Sequence, residues 1–93
     1  MRVLVVEDEE ALRAGIAAEL RGNGYTVDEA CDGEEGHYFG SEFHPDVAIV
    51  DLGLPRLPGL DLIRRLRSEG HDFPILILTA RGRWEEKVDG LGA

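Results

Sequence analysis

Val47-Ala48-Ile49-Val50-Asp51-Leu52-Gly53-Leu54-Pro55 is an unbroken apolar run, an acid, and a short loop stiffened by proline. An apolar run without alternation fits a strand covered on both faces, as in the middle of a parallel sheet. The chain opens in the same way, with Val3-Leu4-Val5-Val6 running into Glu7-Asp8-Glu9, and the pattern returns in Ile75-Leu76-Ile77-Leu78, between Pro74 and Thr79. Between these runs the spacing becomes helical. Leu12, Ile16 and Leu20 recur every four residues over 9–21, and Gly22-Asn23-Gly24 stops that helix. Leu60, Ile63 and Leu66 form the stripe of another helix ending near Gly70. Residues 25–30 alternate more weakly and suit an edge strand, and residues 33–43 read as a poorer helix, with Gly36 and Gly40 inside it and Asp32 as its cap. Trp84, Val88 and Leu91 predict a last helix. Alternating β and α elements with short loops specify an α/β fold, a doubly wound parallel sheet with helices on both faces and right-handed crossovers.

Ninety-three residues, 43% apolar and 31% charged, suffice for one domain around one core. The formal net charge of −9 repels DNA phosphates and anionic lipid, so no direct nucleic-acid or membrane contact is expected of this chain. No apolar run approaches the roughly 20 residues that span a bilayer, and the opening run is too short for a secretory signal. The single cysteine, Cys31, excludes an internal disulfide and a cysteine-rich zinc site and is compatible with a reducing compartment, so a cytoplasmic domain is expected.

Function in open parallel sheets gathers beyond the carboxyl ends of the strands. Those ends carry Glu7 and Asp8, Asp51, and Thr79. Two like charges at 4 Å cost about 1 kcal/mol in water and about 4 at an intermediate dielectric, so converging carboxylates are best relieved by a divalent cation. An all-oxygen donor set favours Mg²⁺ over zinc. A strand-end aspartate alone is most often a cap or turn residue, and Thr79 alone is an ordinary β-branched strand end; the ordered set points to a site. His37, His44 and His71 have no ligand-like spacing, and Cys31 reads as a partly buried filler.

Val3–Glu9, Val47–Pro55 and Leu76-Ile77-Leu78-Thr79-Ala80, in that order and spacing, resemble a response-regulator receiver domain across the whole chain. Pro58-Gly59-Leu60-Asp61-Leu62-Ile63 is similar to the start of the third helix in the branch whose output is a winged-helix DNA-binding domain. The resemblance implies a flavodoxin-like (CheY-like) sheet with strand order 2-1-3-4, here lacking the family's fifth strand and fifth helix. It implies that Asp51 accepts a phosphoryl group from a sensor histidine kinase, and that Mg²⁺ is held by Asp8, Asp51 and the Gly53 backbone carbonyl, with Glu7 acting mainly through metal-bound water. By the same resemblance Thr79 is the switch hydroxyl and Ala80 the small residue that admits phosphate. Gly53 and Arg81 fall where the family tunes phosphoryl lifetime.

On this reading residues 1–93 are a receiver domain incomplete at its C-terminus, with the output domain outside the chain. The family's active-site lysine has no counterpart: Lys87, the only lysine, falls within the expected last helix and is given no such role. The fourth strand, with no charged side chain at 75–78, offers a bare edge through which two copies are expected to pair or swap elements. Regulation is expected, with no enzymatic turnover beyond the chain's own phosphorylation and dephosphorylation. Two other readings remain: a Mg²⁺-dependent phosphatase, which Gly53 disfavours where such sites carry a second aspartate, and a non-phosphorylated pseudo-receiver acting as a docking or dimerisation module.

Overall fold

In the computed structural model, residues 1–78 are described in full and residues 84–87 by their backbone. The apolar runs form β1 (Arg2–Val6), β3 (Val47–Asp51) and β4 (Ile75–Leu78), and the weaker alternating segment forms β2 (Thr26–Ala30). The helices are α1 (Glu10–Gly22), α2 (Gly33–Glu42) and α3 (Gly59–Ser68). These strands pair in parallel in the order β2-β1-β3-β4, as the resemblance implied, with β2 at one edge. No helix among the described residues is long and apolar enough to cross a membrane.

The sheet divides the core in two. Leu4, Val6, Ala48, Val50, Ile75 and Ile77 face α2 and α3, packing with Leu62, Ile63 and Leu66. Val3, Val5, Val27 and Ile49 face α1, packing with Ala17, Ile16 and Leu20. On that second face α1 leaves an apolar groove of about 560 Å³, floored by Ile49 and Leu76. Asp32 caps α2 by accepting the Glu35 N–H at 2.8 Å. The glycines that lower the helix propensity of α2 also let it sit close: a Cβ at Gly36 would stand 3.0 Å from Leu62 Cδ2 and from both Val6 methyls.

The last element departs from expectation. Trp84–Lys87 is a strand, β5, antiparallel to β4, where the spacing of Trp84, Val88 and Leu91 predicted a helix. Three apolar positions are a thin helical signal, and Gly90 and Gly92 weaken it further. The outer edge of β4 offers a row of backbone donors and acceptors that an adjacent segment satisfies by pairing. The same pairing corrects the expectation of a bare fourth-strand edge: β5 covers it, with Leu78 opposite Trp84 and Ile75 opposite Lys87. Lys87 therefore lies in a strand and not a helix. Its backbone stands at the end of β4 remote from Asp51, because Asp51 is registered with Leu78.

Candidate functional site

Adjacent parallel strands bring their carboxyl ends to one edge of the sheet. β1 pairs with β3 so that Val6 lies opposite Val50, and the next residues, Glu7 just past β1 and Asp51 at the end of β3, stand side by side. Carboxylate oxygens of Glu7, Asp8 and Asp51 all lie within 4.8 Å of one another. Glu7 is 4% exposed and Asp51 9%, whereas Asp8 is exposed, so two acids are buried beneath a third that opens to solvent.

The backbone aims these acids. Glu7 Oε2 accepts the Glu9 N–H at 2.9 Å, turning its side chain over the β1–α1 loop, and Arg13 Nη1 donates to the Glu7 carbonyl at 2.9 Å. The backbone amides of Gly53 and Leu52 bear on the Asp51 carboxylate and favour its ionised form. Gly53 adds no side chain beside it: a Cβ there would stand 3.7 Å from Asp51 Oδ2. Burial pushes the Asp51 carboxyl above the ordinary carboxylate range, opposed by the Gly53 amide and reinforced by the charge of Asp8. Burial likewise raises Glu7, against the Glu9 amide and with the charges of Asp51 and Asp8. Among the described residues no ion pair reaches any of the three acids; Arg13 pairs instead with Glu29, at 3.3 Å. Oxygen donors of like charge, close together and with no ion-pairing cation among the described residues, have the chemistry of a hard divalent-cation site.

Gly53 follows directly in the β3–α3 loop. Thr79, Ala80 and Arg81 lie outside the described residues. Cys31, expected to be a partly buried filler, is exposed, and its thiol is raised first by the Glu35 carboxylate, which accepts the Cys31 backbone N–H at 2.9 Å. Sequence reading missed three arrangements. Arg13 ties α1 to the Glu7 carbonyl, Arg56 Nε pairs with Asp32 Oδ2 at 3.4 Å, and His37 Nε2 lies 2.7 Å from Glu69 Oε1. The last two join segments far apart in the chain, which no local pattern encodes.

Comparison with known proteins agrees with this fold. The response regulator receiver domain matches residues 3–93. The chain is 57% identical over all 93 residues to the two-component response regulator PhoP of Pseudomonas aeruginosa, and 52% identical to the transcriptional regulatory protein PhoP of Escherichia coli strain K12. It spans 41% and 42% of their respective lengths. It is also similar to the structure of the response regulator protein TrrA of Thermotoga maritima in complex with Mg²⁺-BeF, with a TM-score of 0.73 and 35% identity, over 85% of this chain and 69% of that one.

Proposed function

The chain belongs to the response regulator receiver domain family, and on that premise we propose that Asp51 accepts a phosphoryl group from the phosphohistidine of a sensor kinase in the cytoplasm and thereby switches a transcriptional output. The observation that carries this reading is the convergence of Glu7, Asp8 and Asp51, with Asp51 nearly buried at a strand end. An Asp51 carboxylate oxygen attacks phosphorus, an acyl phosphate bond forms, and the P–N bond to the donor imidazole breaks; the leaving nitrogen takes up a proton. The amides of Leu52 and Gly53 favour the ionised carboxylate, and the absence of a side chain at Gly53 leaves the approach uncovered.

The donor set fits Mg²⁺: Glu7, Asp8 and Asp51 offer carboxylates and Gly53 a backbone carbonyl, all hard oxygen ligands. Bound there, Mg²⁺ supplies positive charge against the acids and the transferring phosphoryl group. In this proposal Thr79 donates its hydroxyl to a phosphoryl oxygen once Asp51 is modified, and Ala80 leaves room for the group to enter. TrrA, solved with Mg²⁺-BeF, is a relative whose recorded ligands match this chemistry.

A second reading, a docking module that is never phosphorylated, is favoured by one observation: among the described residues no cationic side chain pairs with Glu7, Asp8 or Asp51. Incubation with a small phosphodonor and Mg²⁺, followed by intact mass and peptide mapping, decides between them. Phosphoryl mass on the Asp51 peptide of wild type and none on Asp51→Asn is expected; no uptake by wild type with excess donor selects the docking module.

A further inference from the structure

The Asp51 carboxylate lies against the backbone of Gly53, where a Cβ would stand 3.7 Å from Oδ2, and the Leu52 and Gly53 amides bear on it. These begin the loop of residues 52–58 that joins β3 to α3, so the posture of that loop sets the aim of the Gly53 carbonyl beside the carboxylate. Part of the posture comes from inside: Leu54 is 5% exposed in the core and Leu57 packs against the same cluster. A further part comes from Gly59 at the start of α3, whose N–H donates to the Leu52 carbonyl at 3.2 Å, and another from the start of α2, which is remote in sequence and holds none of the reacting groups.

Three contacts make that grip. Gly33, the first residue of α2, lies so close beneath the loop that a Cβ there would overlap the Leu57 carbonyl oxygen and Cβ. The Gly33 N–H also points to the Pro55 carbonyl, at 3.4 Å. Asp32 divides its carboxylate: Oδ1 accepts the Glu35 N–H that caps α2, and Oδ2 pairs with Arg56 Nε at 3.4 Å. Arg56 has φ of 69°, a left-handed backbone that a non-glycine residue adopts at a cost and that surrounding contacts must hold. The Leu57 N–H, returning to the Pro55 carbonyl at 2.8 Å, tightens the same turn.

We infer that Asp32 and Gly33 are positioning residues for the chemistry at Asp51: they clasp the 52–58 loop at Arg56 and Leu57 so that the Gly53 backbone beside the Asp51 carboxylate is set before any cation or phosphoryl group arrives. This rests on the phosphoacceptor reading given above. The clasp acts through the loop backbone, as outer contacts that orient metal ligands do, and loss of such contacts commonly weakens metal binding by about ten- to a hundredfold. Gly33→Ala pushes a methyl group into backbone that has nowhere near to go. Asp32→Asn keeps a good helix cap and removes only the charge opposite Arg56. Arg56→Ala removes the same pair from the exposed side.

The test uses the full 93-residue chain and Mg²⁺ alone as probe, by calorimetric titration of unphosphorylated protein. Phosphoryl uptake from a small donor against Mg²⁺ concentration, and amide hydrogen exchange of residues 52–57 in chelator, are read on the same samples. Gly33→Ala is expected to raise the half-saturating Mg²⁺ about tenfold and to speed exchange across the loop without metal, with uptake recovering at saturating Mg²⁺. Asp32→Asn and Arg56→Ala are each expected to raise the half-saturating Mg²⁺ about two- to threefold. A folded Gly33→Ala with wild-type titration and wild-type loop exchange overturns the clasp. If Gly33→Ala loses its cooperative melt, the other two variants decide, and wild-type Mg²⁺ curves in both overturn it. A wild type that binds Mg²⁺ but takes no phosphoryl group, with weakened Mg²⁺ binding in the variants, overturns the phosphoacceptor reading and leaves the clasp standing. A wild type that binds no Mg²⁺ overturns both.

Discussion

The two ends of the parallel sheet treat their carboxylates in opposite ways. At the amino end Arg2 donates Nε to Asp28 at 2.7 Å and Nη2 to its other oxygen at 3.3 Å. Its backbone N–H goes to Asp46 at 2.7 Å, and Asp46 returns its own N–H to the Arg2 carbonyl at 2.8 Å. The Arg2 guanidinium also stands over the Phe43 ring, 4.8 Å from its centre. At the carboxyl end Glu7, Asp8 and Asp51 crowd within 4.8 Å of one another, and no described cationic side chain pairs with them. Folding balances the charge at one end and concentrates it at the other. The lesson is that the acidic end is held in place by the sheet and by amides, at a cost in stability, and is the place where an added cation has most to offer.

The strongest test of that contrast is Asp51→Asn in the presence of chelator. Burial and the Asp8 charge hold the Asp51 carboxyl above its ordinary range, so the folded chain binds this proton more tightly than the unfolded one. The stability this adds is complete below about pH 4 and is lost as pH rises through the folded-state value. At neutral pH the ionised group therefore opposes folding, and the isosteric amide relieves it. Asp51→Asn is expected to raise the thermal midpoint by several degrees at pH 7, corresponding to on the order of 1 kcal/mol, with the gain vanishing near pH 3. Mg²⁺ should stabilise wild type and leave the variant nearly unmoved, since only a ligand bound by the folded state shifts the midpoint. An equal or lower midpoint for Asp51→Asn in chelator at pH 7 would break the contrast.

Arg2→Ala probes the other end and has the opposite sign. It removes the ion pair with Asp28 and the ring contact with Phe43 together, while its backbone bond to Asp46 survives. The midpoint is expected to fall by about three degrees, by the same amount with Mg²⁺ and with chelator, because nothing at this end involves the acidic cluster. A fall that depended on Mg²⁺ would show that the two ends are coupled.

Much of this molecule was readable beforehand, for reasons that individual residues make plain. β1, β3 and β4 announce themselves because buried parallel strands need apolar side chains on both faces, and each run ends abruptly in a polar residue. Asp32 with Glu35 three residues on is a local cap signal, and the bond is there. Local patterns stop at local contacts. Trp84–Lys87 was misread because three apolar positions at helical spacing carry less than the open edge of β4 beside them. That Glu7 and Asp51 emerge together follows only once strand order and register are known. Nothing near Gly33 in the chain reveals that Leu57 occupies the space its side chain would fill.

The pair that spacing could not reveal, His37 with Glu69, offers the smallest and most diagnostic sharpening. Glu69 caps the C-terminus of α3, on the amino side of the sheet, and its Oε1 lies 2.7 Å from His37 Nε2 on α2. The hydrogen bond from the imidazole holds this carboxyl below the ordinary carboxylate range, the reverse of Asp51. The sign of the pH dependence reverses with it. Stability from the Glu69 contact is present above the ordinary range, and is lost as pH falls through the folded-state value. Both side chains reach solvent, at 25% and 43% exposure, so the contribution is small and screened by salt. Glu69→Gln is expected to lower the midpoint by about a degree at pH 6 in low salt, and to match wild type near pH 3. Combined with Asp51→Asn the two shifts should add, since the sites share no partner. Melting curves of the four proteins from pH 3 to 7 in chelator thus test two opposite slopes in one chain, and slopes of the same sign would mean that the carboxyl end is not the strained one.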